Sequence, residues 1–137
     1  MNNKIVVIDD DKEFLEELKE TLSASGYEAI AVNDPRLALE IALHSKPKVA
    51  LIDLKMPTKS GFELADEMNR AFEATDVSII AMSGFFKEEF IPLMNLCGIR
   101  KFIKKPFNPL DIISAIEEVR KEKGLFPITS QKRSFLK

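Results

Sequence analysis

The chain carries one cysteine, Cys97, one histidine, His44, and no tryptophan. A lone cysteine cannot close an internal disulfide, so nothing covalent staples this fold and a reducing compartment suits it. With no histidine near it, Cys97 reads as a small buried apolar residue rather than a nucleophile. His44 stands near the end of a helical segment without a second histidine, and reads as an exposed surface residue. Long apolar runs are missing too: nothing approaches the ~20 residues of a membrane span. The apolar stretch Ile5 to Ile8 gives way to a run of Asp and is too short for a secretory leader, so the expected setting is cytoplasmic. A strong net charge is also lacking. At −2 the chain has no global push toward nucleic acid or membrane, and direct binding to either is not expected.

What is present belongs to a folded protein. The 137 residues suffice for one domain with a real core. Hydrophobic residues at 45% and charged residues at 31% are ordinary for a globular protein, so nothing in the composition points to disorder. There are no internal repeats. The charge is unevenly spread: Lys123, Lys132, Arg133 and Lys137 give the end of the chain +4 with no acid, so the residues before it carry −6, which together make −2. Gly124 and Pro127 end the last helical segment, and too few residues follow to build a core. Residues 1–123 are therefore expected to form the domain and 124–137 a frayed basic tail or linker. A sharper expectation for that tail is docking of Phe126, Phe135 and Leu136 on the acidic body or on a partner.

Short apolar runs alternate with helical periods. Ile5-Val6-Val7-Ile8 fits a strand buried on both faces that breaks at Asp9-Asp10-Asp11. Phe14, Leu15, Leu18 and Leu22 recur at helical spacing until Gly26. Tyr27 to Val32 predicts a second strand, and Pro35 to about His44 a second helix with Leu37, Ala38, Ile41 and Ala42. Val49 to Ile52 predicts a third strand, ending on Asp53. Leu64, Ala65, Met68 and Phe72 mark a third helix, and Val77 to Met82 a fourth strand ending at Ser83-Gly84. A fourth helix is expected from about Glu88 to Leu96. Pro92 would break it anywhere but in the first turn, so this helix must start late, near Glu88 or Glu89, or be kinked. Lys101-Phe102-Ile103 predicts a fifth strand, and Pro109 to about Lys121 a last helix with Leu110, Ile113 and Ile116 inward. The methionines at 56, 68, 82 and 94 fall on packing positions.

Five βα units in succession imply an α/β fold, a doubly wound five-stranded parallel sheet with right-handed crossovers. Function then belongs at the carboxyl ends of the strands. Asp9 and Asp10, Asp53, Ser83, and Lys105 before Pro106 all fall at those ends. Three carboxylates in one crevice repel one another unless a positive charge sits among them. Oxygen donors alone suit a hard cation, Mg²⁺ or Mn²⁺. A hydroxyl and an amine opposite it suit a phosphoryl group. Simpler readings exist for each residue alone. Asp10 followed by Glu13 fits a capping box, with Asp11 also placed to cap; Asp53 could be a turn residue, Ser83 a loop residue, Lys105 a solvated lysine and Phe102 plain core. The Lys105–Pro106 bond is open to a cis peptide.

Four motifs carry a resemblance: Ile-Asp-Asp at 8–10, Leu-Ile-Asp-Leu-Lys-Met-Pro at 51–57 with Gly61 following, Met-Ser-Gly at 82–84 and Lys-Lys-Pro-Phe at 104–107. In this order, each at a strand end, they resemble the receiver domains of two-component response regulators, chemotaxis-regulator-like, over residues 4 to about 122. The resemblance implies a flavodoxin-like (βα)5 fold with strand order 2-1-3-4-5. It implies Asp53 as the phosphoryl acceptor, Asp10 and Asp53 as direct metal ligands, Asp9 acting mostly through water, and the Lys55 backbone carbonyl as a further ligand. Ser83 would bind a phosphoryl oxygen, Lys105 would pair with the acyl phosphate, and Phe102 would be the aromatic switch that moves inward. The positions two residues after the acceptor and two after the hydroxyl residue, which flank the approach of hydrolytic water, hold Lys55 and Phe85. Expected partners are a histidine kinase or histidine phosphotransfer protein, a downstream protein or output domain, and a second copy through the helix 4–strand 5–helix 5 face. The domain would be a signalling switch rather than an enzyme, assisting only its own phosphorylation and dephosphorylation.

Other classes fit less well. An FMN carrier of the same fold needs donors, not three carboxylates, in its first phosphate loop. A haloacid-dehalogenase-type phosphatase needs a second Asp two positions after its nucleophile, where this chain has Lys55. A degenerate receiver acting only as a protein-interaction module would not need the full set of acids, hydroxyl and lysine. The family pattern is departed from at Phe102, which has no hydroxyl, and at Pro92.

Overall fold

In the computed structural model, which describes residues 3–72 and 76–122, the apolar runs become five strands. They are β1 (Lys4–Ile8), β2 (Glu28–Val32), β3 (Val49–Asp53), β4 (Ser78–Ser83) and β5 (Ile99–Lys104), and they alternate with helices α1 (Lys12–Ala24), α2 (Pro35–Ser45), α3 (Gly61–Ala71), α4 (Phe90–Leu96) and α5 (Pro109–Glu122). The sheet is parallel throughout in the order β2-β1-β3-β4-β5, the expected arrangement. The expected basic tail, 124–137, lies outside the described residues. Among those described, no helix is long and apolar enough to cross a membrane.

Alternation along the strands divides the core into two layers. Val6, Ile8, Ala50, Ile52, Ile79, Ala81, Ile99 and Phe102 pack on the side of α2, α3 and α4. Ile5, Val7, Val49, Leu51, Ile80, Met82 and Ile103 pack on the side of α1 and α5. Cover on both faces is why these strands are continuous apolar runs. The β4–β5 register shifts between Ile79 and Ile80: Ile79 pairs with Ile99 but Ile80 pairs with Lys101, which makes Arg100 the extra residue of a bulge.

Helix ends follow local chemistry, with two corrections. Asp11 caps α1 by accepting from the Phe14 N–H at 3.2 Å. The capping role expected of Asp10 does not appear, because the residue with the extended cap backbone is Asp11. At the other end the Gly26 N–H donates to Ser23 O and the Tyr27 N–H to Leu22 O, with Gly26 at φ +92, a turn that favours glycine. In α5, Leu110 is 76% exposed rather than inward. The buried stripe is Ile112, Ala115, Ile116 and Val119, spaced i, i+3, i+4, i+7, which turns Leu110 to the opposite side; Ile113 is half-buried beside it. Pro92 is the third residue of α4, inside the first turn, as its chemistry requires. Cys97 is buried and His44 exposed, and Met56, Met68, Met82 and Met94 are all buried.

Candidate functional site

The carboxyl ends of β1, β3, β4 and β5 form one rim. Asp9 and Asp10 leave β1 as it ends, and Asp53 is the last residue of β3, paired in register with Met82 of β4. Ser83 is the next residue of β4, and Lys105 follows β5 and donates its backbone N–H to Ser83 O at 2.8 Å. Sheet register thus sets the spacing of the rim. A close approach fixes the segment after Asp53: the first residue of α3, Gly61, lies so near that a Cβ there would stand 2.2 Å from Asp53 O and 2.6 Å from Leu54 Cα. Only glycine fits without moving backbone, and the Gly61 N–H donates to Leu54 O at 3.1 Å.

Asp9, Asp10 and Asp53 each bring one carboxylate oxygen to a point where all three lie within 4.8 Å of one another. Asp9 is 1% and Asp53 7% exposed, while Asp10 is open to solvent. Burial raises the Asp53 pKa from 3.8 to about 6; the Asp9 charge pushes the same way, Lys105 and a hydrogen bond from the Lys55 N–H oppose it, and Asp10 adds a smaller upward push. The cluster is therefore electrostatically uncomfortable as it stands. Its donors are all oxygen and part of it is open to water, which suits a hard, partly hydrated divalent cation such as Mg²⁺.

The lysine is close by. Lys105 Nζ donates to Asp9 Oδ2 at 2.5 Å and lies 4.1 Å from the centroid of the Phe14 ring. The other Asp9 oxygen accepts from the Asp11 N–H at 3.0 Å. Ser83 is buried, and its hydroxyl oxygen accepts from the Phe85 N–H at 3.2 Å. The Lys55 N–H donates to Asp53 Oδ1 at 3.4 Å, with its side chain exposed. The Lys105–Pro106 peptide is cis. Five residues singled out from the sequence, Asp9, Asp10, Asp53, Ser83 and Lys105, thus share the rim.

Two others stand apart from the carboxylates. Phe85 is 55% exposed, with its ring 6.0 Å from that of Phe90. Phe102 is buried below the rim, opposite Ala81, with its ring 4.9 Å from that of Phe86. Phe86 in turn meets Phe90, and Phe90 meets Phe62. No spacing in the sequence marks Phe86, and Phe14 by its periodicity is only a helix-face residue. The one available sign was the crowding of phenylalanines at 85, 86 and 90.

Residues 5–117 match the family model described as the response regulator receiver domain. The chain is 27% identical over 120 residues to the phosphate regulon transcriptional regulatory protein PhoB of Pseudomonas aeruginosa, covering 88% of this chain and 52% of that protein. It is 24% identical over 135 residues to the alkaline phosphatase synthesis transcriptional regulatory protein PhoP of Bacillus subtilis, covering 98% and 55%. It therefore spans about half the length of these relatives. The chemotaxis protein CheY4 of Vibrio cholerae has the same fold, with a TM-score of 0.82 at 24% identity over 87% of this chain and 99% of that one.

Proposed function

Because the chain belongs to the response regulator receiver family, we propose that it is a phosphoacceptor switch that takes a phosphoryl group on Asp53. The observation that carries this reading is the meeting of three carboxylates and one lysine on a single sheet edge. An isolated strand-end Asp would need neither companion acids nor an ammonium. The donor is a phosphohistidine of a histidine kinase or phosphotransfer protein. A carboxylate oxygen of Asp53 forms the new bond to phosphorus, the bond from phosphorus to the imidazole nitrogen breaks with its electron pair left on that nitrogen, and the imidazole, protonated on its other ring nitrogen, leaves neutral.

Each neighbour has a part in that transfer. Asp9, Asp10 and Asp53, with the Lys55 carbonyl, would hold Mg²⁺, which supplies positive charge to the phosphoryl oxygens and offsets the repulsion among the acids. Lys105 pairs with the acyl phosphate, and the Ser83 hydroxyl donates to another of its oxygens. Drawing Ser83 toward the phosphoryl group pulls on the loop that carries Phe86, and so on Phe102. The altered surface of α4, β5 and α5 would then meet a downstream protein, an output domain or a second copy of the chain.

With Mg²⁺ present, a small phosphodonor should add one phosphate to the intact protein. The added mass should vanish in Asp53→Asn and fall strongly in Asp10→Asn. Label that persists in Asp53→Asn would move the acceptor elsewhere and sink the assignment.

A further inference from the structure

Among the described residues, the Lys105 ammonium is in direct contact with two groups of different character. One is the Asp9 carboxylate. The other is the face of the Phe14 ring, from the first turn of α1, with its centroid 4.1 Å from Nζ. Phe14 is half-buried and is held from the side by Phe107, whose ring meets it edge-on at 5.8 Å and 79°. Phe107 stands two residues after Lys105, so one short connection delivers both the lysine and the ring that steadies its platform.

The two neighbours do different things to an incoming anion. A lysine on a four-carbon stem has many rotamers, and freezing it at the moment of reaction costs entropy. A carboxylate partner orders the ammonium but competes with phosphoryl oxygens for its N–H donors. An aromatic face attracts the ammonium through the ring quadrupole and leaves those donors available. Asp9 is also a candidate cation ligand, so its hold on Lys105 must weaken when the carboxylates gather round a cation. The ring has no such second duty.

We propose that Phe14 is a positioning residue for phosphoryl transfer, its ring keeping the Lys105 ammonium at the rim where the phosphoryl oxygens arrive. This rests on the reading of Asp53 as the acceptor. Packing between α1 and the segment before α5 is the competing role, and any large apolar side chain would serve it.

The test compares the wild-type chain with Phe14→Leu, which keeps apolar bulk, and Phe14→Tyr, which keeps the π face. In metal-free protein, ring-current shielding should move the Lys105 ε-methylene protons upfield in wild type and Phe14→Tyr, and Phe14→Leu should return them to the ordinary position. With Mg²⁺ and phosphoramidate, a donor too small to contact Phe14 as a protein partner would, labelling of Asp53 should slow roughly two- to tenfold in Phe14→Leu. Phe14→Tyr should stay within about twofold of wild type by the same reasoning. Wild-type labelling by Phe14→Leu, labelling of Phe14→Tyr as slow as that of Phe14→Leu, or an unshifted methylene in wild type would each overturn the proposal while leaving Asp53 as acceptor. A wild type that takes no label at all would overturn the acceptor reading, and this role with it.

Discussion

Asp53 has a raised pKa, about 6 against an ordinary 3.8, and this has a thermodynamic consequence. Below 3.8 the carboxyl is protonated in folded and unfolded chains alike. Between 3.8 and about 6 the folded protein keeps a proton that the unfolded chain has released, so stability falls as pH rises through that window. At pH 7 the loss is complete and amounts to roughly 1–3 kcal/mol. In metal-free buffer Asp53→Asn should therefore be more stable than wild type at pH 7 by about that much, with the advantage fading near pH 4. Denaturant melts at the two pH values test this, and identical midpoints at pH 7 would show that ionised Asp53 carries no penalty. The other prediction at this scale concerns lifetime. The Lys55 side chain offers hydrogen-bond donors and no acceptor for an attacking water, and the exposed Phe85 ring offers no useful polar atom. The phosphorylated protein should thus be long-lived for a receiver, and Lys55→Asn with Phe85→Glu should hasten its decay severalfold. If the double variant loses phosphate no faster at fixed metal and pH, these side chains do not set the lifetime.

Among the elements, α4 stands out as the one with the least local support. It has seven residues, one of them Pro92, and Glu89 gives it no side-chain cap, whereas α1 has 13 residues and the Asp11 cap. Few intrahelical bonds hold so short a helix, and its order comes from Ile91 and Met94 in the core. Backbone amides of Leu93 to Leu96 should exchange with solvent faster than those in the middle of α3 and α5. Equal protection across the three helices would count against this. The late start of α4 could be read from Pro92, and the strands from apolar runs that stop at an acid or a hydroxyl, because burial on both faces leaves a plain mark. The inward face of α5 could not be read reliably from its first turn, where Leu110 looks as apolar as Ile112. Nor could the helix cap be told between Asp10 and Asp11, since that choice depends on backbone shape.

Across the whole molecule, the acids of the site were legible because each ends a strand and the fold gathers strand ends on one rim. Contacts that tune the site were not. Lys105 and Asp9 are 96 residues apart, and the meetings of Lys105 with Phe14 and of Phe86 with Phe102 likewise join distant or aperiodic positions that no spacing announces. The two-layered core adds a question of parity. Ile99 and Phe102 are separated by an odd number of steps, which in an unbroken strand sends side chains to opposite faces. Here both serve the layer beneath α4, while Lys101 faces the other way and meets Glu118 of α5 at 2.9 Å. The extra step at Arg100 reconciles the count. A strand without it could commit Ile99 or Phe102 to that layer, never both, so this single inserted residue decides which half of the protein the buried ring of Phe102 answers to.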